Sequence, residues 1–145
     1  MPIARMNDEV LESEWLIAAC SSDVTDKPVQ TFILGEQLVL WRNGQGIHAF
    51  KDLCIHRGTA LSLGRVCNDA LVCPYHAWEY SSTGQCIKIP AQPPEMTIPM
   101  KARAQAYKCK EQYGFVWVCL GEPSAEIARY DEMHDETFRT IICGP

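Results

Sequence analysis

Four side chains in two short motifs carry the chemistry of this sequence: Cys54-Ile55-His56 and Cys73-Pro74-Tyr75-His76. Sixteen residues separate His56 from Cys73. Each motif offers one thiolate and one imidazole, a donor set for soft and borderline metals. Two groups fit it. One zinc ion would take all four donors in a tetrahedron. A [2Fe–2S] cluster would take both cysteines on one iron and both histidines on the other. The spacing favours the cluster. Zinc motifs usually pair Cys with Cys and His with His along the chain. Here each motif mixes the two, as expected of similar loops gripping a diamond-shaped cluster from opposite sides. The flanks add to this. Gly58 lets backbone approach the cluster, and Pro74 stiffens the second loop. Backbone N–H groups in such loops can bond the sulfurs and tune a potential.

The elements that must position these loops read as β-strands. Trp15–Cys20 is a first strand. Residues 30–34 and 37–41 flank Gly35-Glu36, a hairpin signal. Asn43-Gly44-Gln45-Gly46 turns the chain into a strand over 47–51. Residues 77–80 and 85–89 are short strands around Ser81-Ser82-Thr83-Gly84. Residues 102–108 and 114–120 form a last pair, with a turn near Glu111. Residues 90–99 hold four prolines and must be an extended loop. No segment has a helical apolar period capped at both ends, so the fold class is all-β. Residues 1–14 read as an N-terminal arm, 15–121 as the domain, and 122–145 as an acidic tail. One short helix within 122–136 and one more strand over 138–143 are expected in that tail.

Composition bounds the function. The 145 residues are 47% hydrophobic and 21% charged, ordinary for one globular domain. A net charge of −5 argues against nucleic acid and anionic membranes as partners. The longest apolar run, 115–120, is too short to span a bilayer. The first residues place acids where a secretory signal needs an apolar stretch. The expectation is a cytoplasmic protein, in a reducing compartment where eight cysteines are better read as metal ligands or core than as disulfides.

At the two motifs the sequence resembles a known family. Cys54 to Gly64, in the pattern Cys-x-His-Arg-Gly-x-x-Leu-Ser-x-Gly, resembles the N-terminal Rieske domain of the Rieske non-haem iron oxygenases. Cys73-Pro-Tyr-His-Ala-Trp78 does so too, with Ala77 where glycine is usual. Gly84 to Gln92 is similar to the branch of vanillate O-demethylase, phthalate dioxygenase and pheophorbide oxygenase, and Gly114 to Gly121 matches as well. The resemblance implies stacked antiparallel sheets, three in number, with a small cluster-binding subdomain at the tip. It implies that Cys54, His56, Cys73 and His76 hold the [2Fe–2S] cluster, and that both histidines are partly exposed where electrons leave. High-potential relatives join the two loops by a disulfide. Thr59 and Tyr75 stand at those positions here, and Trp78 stands where those relatives have a sulfur-bonding serine. The expected potential therefore lies low in the family range, roughly −150 mV rather than +300 mV.

An oxygenase also needs a mononuclear non-haem Fe(II), held by two histidines and a carboxylate. Only His48 and His134 remain. His48 falls in a strand, where a structural role is expected, and His134 falls among the acids of the tail. The resemblance thus implies the electron-transfer part of an oxidoreductase that is not competent for oxygenation alone. Its chain would continue into a catalytic domain carrying that Fe(II). Electrons would come from an NAD(P)H-dependent reductase with flavin and iron–sulfur centres. They would pass to the catalytic domain of the same or a neighbouring subunit, commonly within a trimer. A free-standing Rieske ferredoxin is the first alternative, and a zinc-stapled structural module the second. Around the cluster, Arg57 is placed to reach a carboxylate, Tyr75 to exclude water and Trp78 to cover the cluster. Ordinary surface or core roles are the plainer reading of each. Trp15, Trp41, Trp117 and most spare cysteines read as core.

Overall fold

A computed structural model describes residues 4–141. Among them ten strands form two antiparallel sheets. The first sheet contains β1 (Leu16–Cys20), β2 (Val29–Ile33), β3 (Glu36–Asn43), β4 (Gly46–Lys51), β9 (Ala106–Gln112) and β10 (Phe115–Cys119), in the order β1-β10-β9-β4-β3-β2. The second contains β5 (Arg65–Cys67), β6 (Ala70–Val72), β7 (Glu79–Tyr80) and β8 (Cys86–Lys88), in chain order. The expected three sheets become two because Ala49 pairs with Tyr107 and Phe50 with Ala106, which joins β4 to β9. The large sheet curls until its edges meet, where the Thr31 hydroxyl donates to the Ala18 carbonyl at 2.8 Å.

Strand β3 explains the layering. The run Leu38-Val39-Leu40-Trp41 is apolar on both faces, the pattern of a strand with no solvent side. Leu38 and Leu40 point into the curl, where Val116, Val118 and Ile33 meet them. Val39 and Trp41 point the other way, against Leu61, Leu71 and Tyr80 of the second layer. Each of these β3 side chains is fully buried, which stabilises the fold by about 1.5–3 kcal/mol apiece before entropy is counted. The second core also contains Cys54 and Cys73. The two candidate cysteine ligands therefore stand on the packed interface between the sheets.

Several expectations are corrected by this packing. Residues 65–72 form the hairpin β5–β6, which the sequence reading left out. Its turn residues Asn68 and Asp69 both have positive φ, a tight turn without the usual glycine. The last hairpin is shifted: β9 spans Ala106–Gln112 and the turn falls at Tyr113-Gly114 rather than near Glu111. Ala77 lies in a loop and its strand begins at Glu79. Of the three tryptophans read as core, only Trp41 is buried. Trp15 and Trp117 are half-buried on the outer face, their Nε1–H groups donating to the Ala125 and Gln112 carbonyls at 3.0 and 2.9 Å. Cys67 is exposed at the end of β5, while Cys86 and Cys119 are buried as expected.

The arm holds a four-residue helix α1 (Glu9–Glu12), with Asp8 capping the N–H groups of Val10 and Leu11. The tail continues along the sheet. Ile127 is buried, and Ser124 N–H donates to the Ser13 carbonyl at 2.9 Å. The helix expected in the tail is a single 3-10 turn, Asp131–His134. Residues 138–141 are irregular, and the rest of the strand expected over 138–143 lies outside the described residues. Among the described residues no helix is long and apolar enough to cross a membrane.

Candidate metal centre

Two loops build the site, residues 52–64 between β4 and β5 and residues 73–78 between β6 and β7. Their backbones follow one plan. Cys54 N–H donates to Thr59 O at 2.7 Å, and Gly58 N–H to Cys54 O at 2.8 Å. In the second loop Cys73 N–H donates to Trp78 O at 2.9 Å, and Ala77 N–H to Cys73 O at 3.1 Å. Equivalent positions are 19 residues apart throughout this frame. The fourth residue after each cysteine is left-handed, with φ of +74° at Gly58 and +54° at Ala77. Glycine adopts that conformation freely, whereas alanine is strained there by about 1 kcal/mol. The histidines break the symmetry: His56 is two residues after its cysteine and His76 three.

The loops are fixed from below. Asp52 is 5% exposed and precedes Cys54 by two residues. It accepts bonds from Gln30 and Gln37, each at 2.9 Å, and from the Ser62 N–H and hydroxyl at 2.7 and 2.6 Å. One carboxylate thus ties both ends of the first loop to β2 and β3. Burial pushes its pKa up, but these donors outweigh burial and hold it below the ordinary carboxylate value. At the end of the loop a Cβ on Gly64 would lie 2.1 Å from the Val72 carbonyl. Only glycine lets this loop pass so close to the strand that leads into Cys73.

The four donors meet as two pairs. Cys54 and Cys73 are each 1% exposed, with their thiols in contact. Burial pushes the Cys73 thiol up, while the N–H groups of Tyr75 and His76 favour its thiolate. The His56 and His76 rings lie 4.6 Å apart, edge to face. Among the described residues no group of three or more His, Cys, Asp or Glu side chains gathers round one point. Sulfur beside sulfur and imidazole beside imidazole is the donor arrangement of a two-iron group. The residues fit such a group on a further count. His56 Nδ1 is buried without a hydrogen-bond partner, a costly state for a polar atom unless it ligates a metal. Burial lowers the His56 pKa, with the charges of His76 and Arg57 adding to it, so its neutral, ligating form is favoured.

The surroundings divide into interior and rim. Trp78 stacks on His56, with centroids 4.6 Å apart and planes at 7°. Tyr75 lies over His76 at 3.9 Å. Arg57, Gly58, Pro74, Tyr75 and His76 are exposed, while His56 and Trp78 are half-buried. Both histidines are thus at least partly open to solvent, His76 more so than His56. His48 and His134 lie elsewhere. His48 bonds Asn43 Oδ1 at 2.9 Å and packs on Trp41, with burial lowering its pKa. His134 stands in the tail near Tyr113.

Two residues of the site escaped the sequence reading. Tyr80 is fully buried, and its hydroxyl lies 3.1 Å from Cys54 Sγ. With Cys54 a thiolate, the hydroxyl is the donor. Burial, then the Cys54 bond, raise the Tyr80 pKa, so it stays protonated. A tyrosine in a short strand just after the second motif was the available signal, since a buried phenol needs a partner. Asp52 was the other, and it stands two residues from Cys54.

Comparison with known proteins adds the following. The family described as the Rieske [2Fe–2S] domain matches residues 14–109. The chain is 38% identical over 120 residues to methylxanthine N1-demethylase NdmA of Pseudomonas putida, covering 81% of this chain and 34% of that protein. It is 37% identical over 142 residues to the phenoxybenzoate dioxygenase subunit alpha of Ectopseudomonas oleovorans, covering 94% of this chain and 35% of that protein. Among solved structures, dicamba monooxygenase bound to dicamba superposes with a TM-score of 0.80 at 29% identity, over 90% of this chain and 40% of that one. The chain spans about a third of the length of the curated relatives it matches.

Proposed function

The chain belongs to the Rieske [2Fe–2S] domain family, and from that premise we propose that it relays single electrons to the mononuclear iron of a terminal oxygenase. Cys54 and Cys73 would hold one iron, and His56 and His76 the other. The bound cluster supplies one-electron chemistry, taking up and releasing an electron without a change of ligands. The chain's own groups do the rest. The thiolates sit among Leu61, Leu71 and Tyr80, away from water. Tyr80 and the N–H groups of Tyr75 and His76 donate to sulfur. His76 leaves the interior and reaches the surface beside Pro74 and Tyr75, where a partner can approach.

The observation that carries this reading is the pairing of two buried sulfurs and two adjacent imidazoles on matched loops. The oxygenase role rests on the relatives, which are named as demethylase and dioxygenase components and are about three times as long. A catalytic domain with a non-haem Fe(II), in the same or a neighbouring subunit of a trimer, is the proposed acceptor. An NAD(P)H-dependent reductase is the proposed donor. With Thr59 and Tyr75 at the loop positions that would carry a disulfide, the proposed potential is roughly −150 mV.

An anaerobic reductive titration followed by visible absorbance tests the relay. One electron per chain should bleach the protein, and air should restore the colour. A colourless protein that takes up no electrons, or an endpoint at two electrons, would sink the proposal. A midpoint potential near +300 mV would overturn the low-potential part alone.

A further inference from the structure

We propose that Trp78 is a positioning residue for His56, and that it makes the two histidines unequal: His56 is held in place, while His76 is left open to a partner. The inference rests on the electron-relay reading above and concerns which side chain fixes the imidazole pair.

The stack of Trp78 on His56, at 7° and 4.6 Å, is the one parallel ring contact among the described aromatic pairs. His76 meets His56 at 66°. His56 thus has an indole along one face and a ring edge beside it, and its Nδ1 is buried. Turning the imidazole would break the stack and move Nδ1. The indole is itself anchored. The Trp78 carbonyl accepts from Cys73 N–H, and its side chain packs on the second core as Ile89 and Ile98 do.

Among the described residues no ring stacks parallel on His76. By the 19-residue offset of the two loops, the counterpart of Trp78 is Thr59, which has no ring to offer. The cover of His76 is Tyr75, tilted by 40° and 64% exposed. A half-buried indole on a packed base is a fixed wall. An exposed phenol beside an exposed imidazole is a contact that a docking surface can rearrange. The second loop therefore fixes the histidine of the first, and the first does not fix that of the second.

The test uses the iron-loaded protein, reduced with dithionite and carrying nitrogen-15 histidine. Electron–nuclear double resonance should resolve two histidine nitrogen couplings, one narrow and one broad. Equal widths would overturn the inference. Trp78→Leu should broaden the narrow coupling and speed iron loss to a chelator about tenfold. Trp78→Phe, which keeps a ring face, should restore both. A Leu variant with wild-type widths overturns the inference, as does a Phe variant no better than Leu. If Trp78→Leu takes up no iron, the wild-type widths and Trp78→Phe decide. A wild-type protein with no cluster signal at all overturns the electron-relay reading instead, so the two failures are told apart.

Discussion

The Tyr80 hydroxyl is the side-chain group that most directly tunes the proposed centre, because it lies 3.1 Å from Cys54 Sγ and would donate to that sulfur as a thiolate ligand. A donor to sulfur stabilises the more negative, reduced state. Tyr80→Phe should lower the midpoint potential by roughly 40 mV, taking about 1 kcal/mol for the bond and 59 mV per tenfold for one electron. Protein-film voltammetry would read this, and an unchanged potential would refute the tuning role. Ala77 makes the opposite kind of prediction. It holds a φ of +54° where its counterpart in the other loop is Gly58. Ala77→Gly should stabilise the protein by about 0.5 kcal/mol, the relief of strain exceeding the added unfolded entropy. A lower urea midpoint would contradict this. At this scale the sequence singles out the four candidate donors, since ligand chemistry restricts residue type and spacing, and the fold brings them together as two pairs. Tyr80 and Asp52 were not. Their importance comes from where the fold places a hydroxyl and a carboxylate, and neither has a spacing rule.

Two loops on one backbone plan form the element on which the site depends, and the Asp52 network holds the first of them to the sheet. Asp52→Asn would set an amide N–H₂ against the donors of Gln30, Gln37 and Ser62. We expect a loss of about 2 kcal/mol, seen as a lower denaturant midpoint and faster iron loss. A midpoint within error of wild type would show that the network is dispensable. The loops themselves were readable from the motifs, and β3 from its unbroken apolar run. The hairpin β5–β6 was not, because Arg65-Val66-Cys67-Asn68-Asp69 alternates poorly and turns without glycine. Its pairing is set instead by the close approach of Gly64 to Val72. The late hairpin slipped in the reading for a related reason. Ala102 and Ala104 are buried like strand residues but precede the strand.

At the scale of the whole molecule, one ion pair links β3 to β9 across the intervening β4 of the large sheet. Arg42 donates to both Glu111 oxygens, at 2.8 and 2.5 Å, and to the Val24 carbonyl at 2.9 Å. The Arg42 bonds hold the Glu111 carboxyl below its ordinary value. A depressed folded-state pKa gives stability that is present above the unfolded value, about 4.3, and lost as pH falls through the folded one. Wild type should therefore lose more stability than Glu111→Gln between pH 5 and pH 3, roughly. Parallel acid dependence of the two urea midpoints would contradict this. The packing of the tail lay beyond the sequence reading, because its contacts are long-range. Trp15 reaches Ala125, and the Tyr113 hydroxyl donates to the Ala128 carbonyl and accepts from Tyr130 N–H. No local pattern announces pairs so far apart. All-β character was legible, because apolar alternation and turn residues repeat along the chain. Across all three scales, the function proposed for the chain depends on Cys54, His56, Cys73 and His76 together holding a two-iron cluster. Iron, acid-labile sulfide and zinc analysis of the purified protein tests it most directly. About two irons and two sulfides per chain are expected, both lost together in Cys54→Ala. One zinc per chain with no sulfide would contradict it.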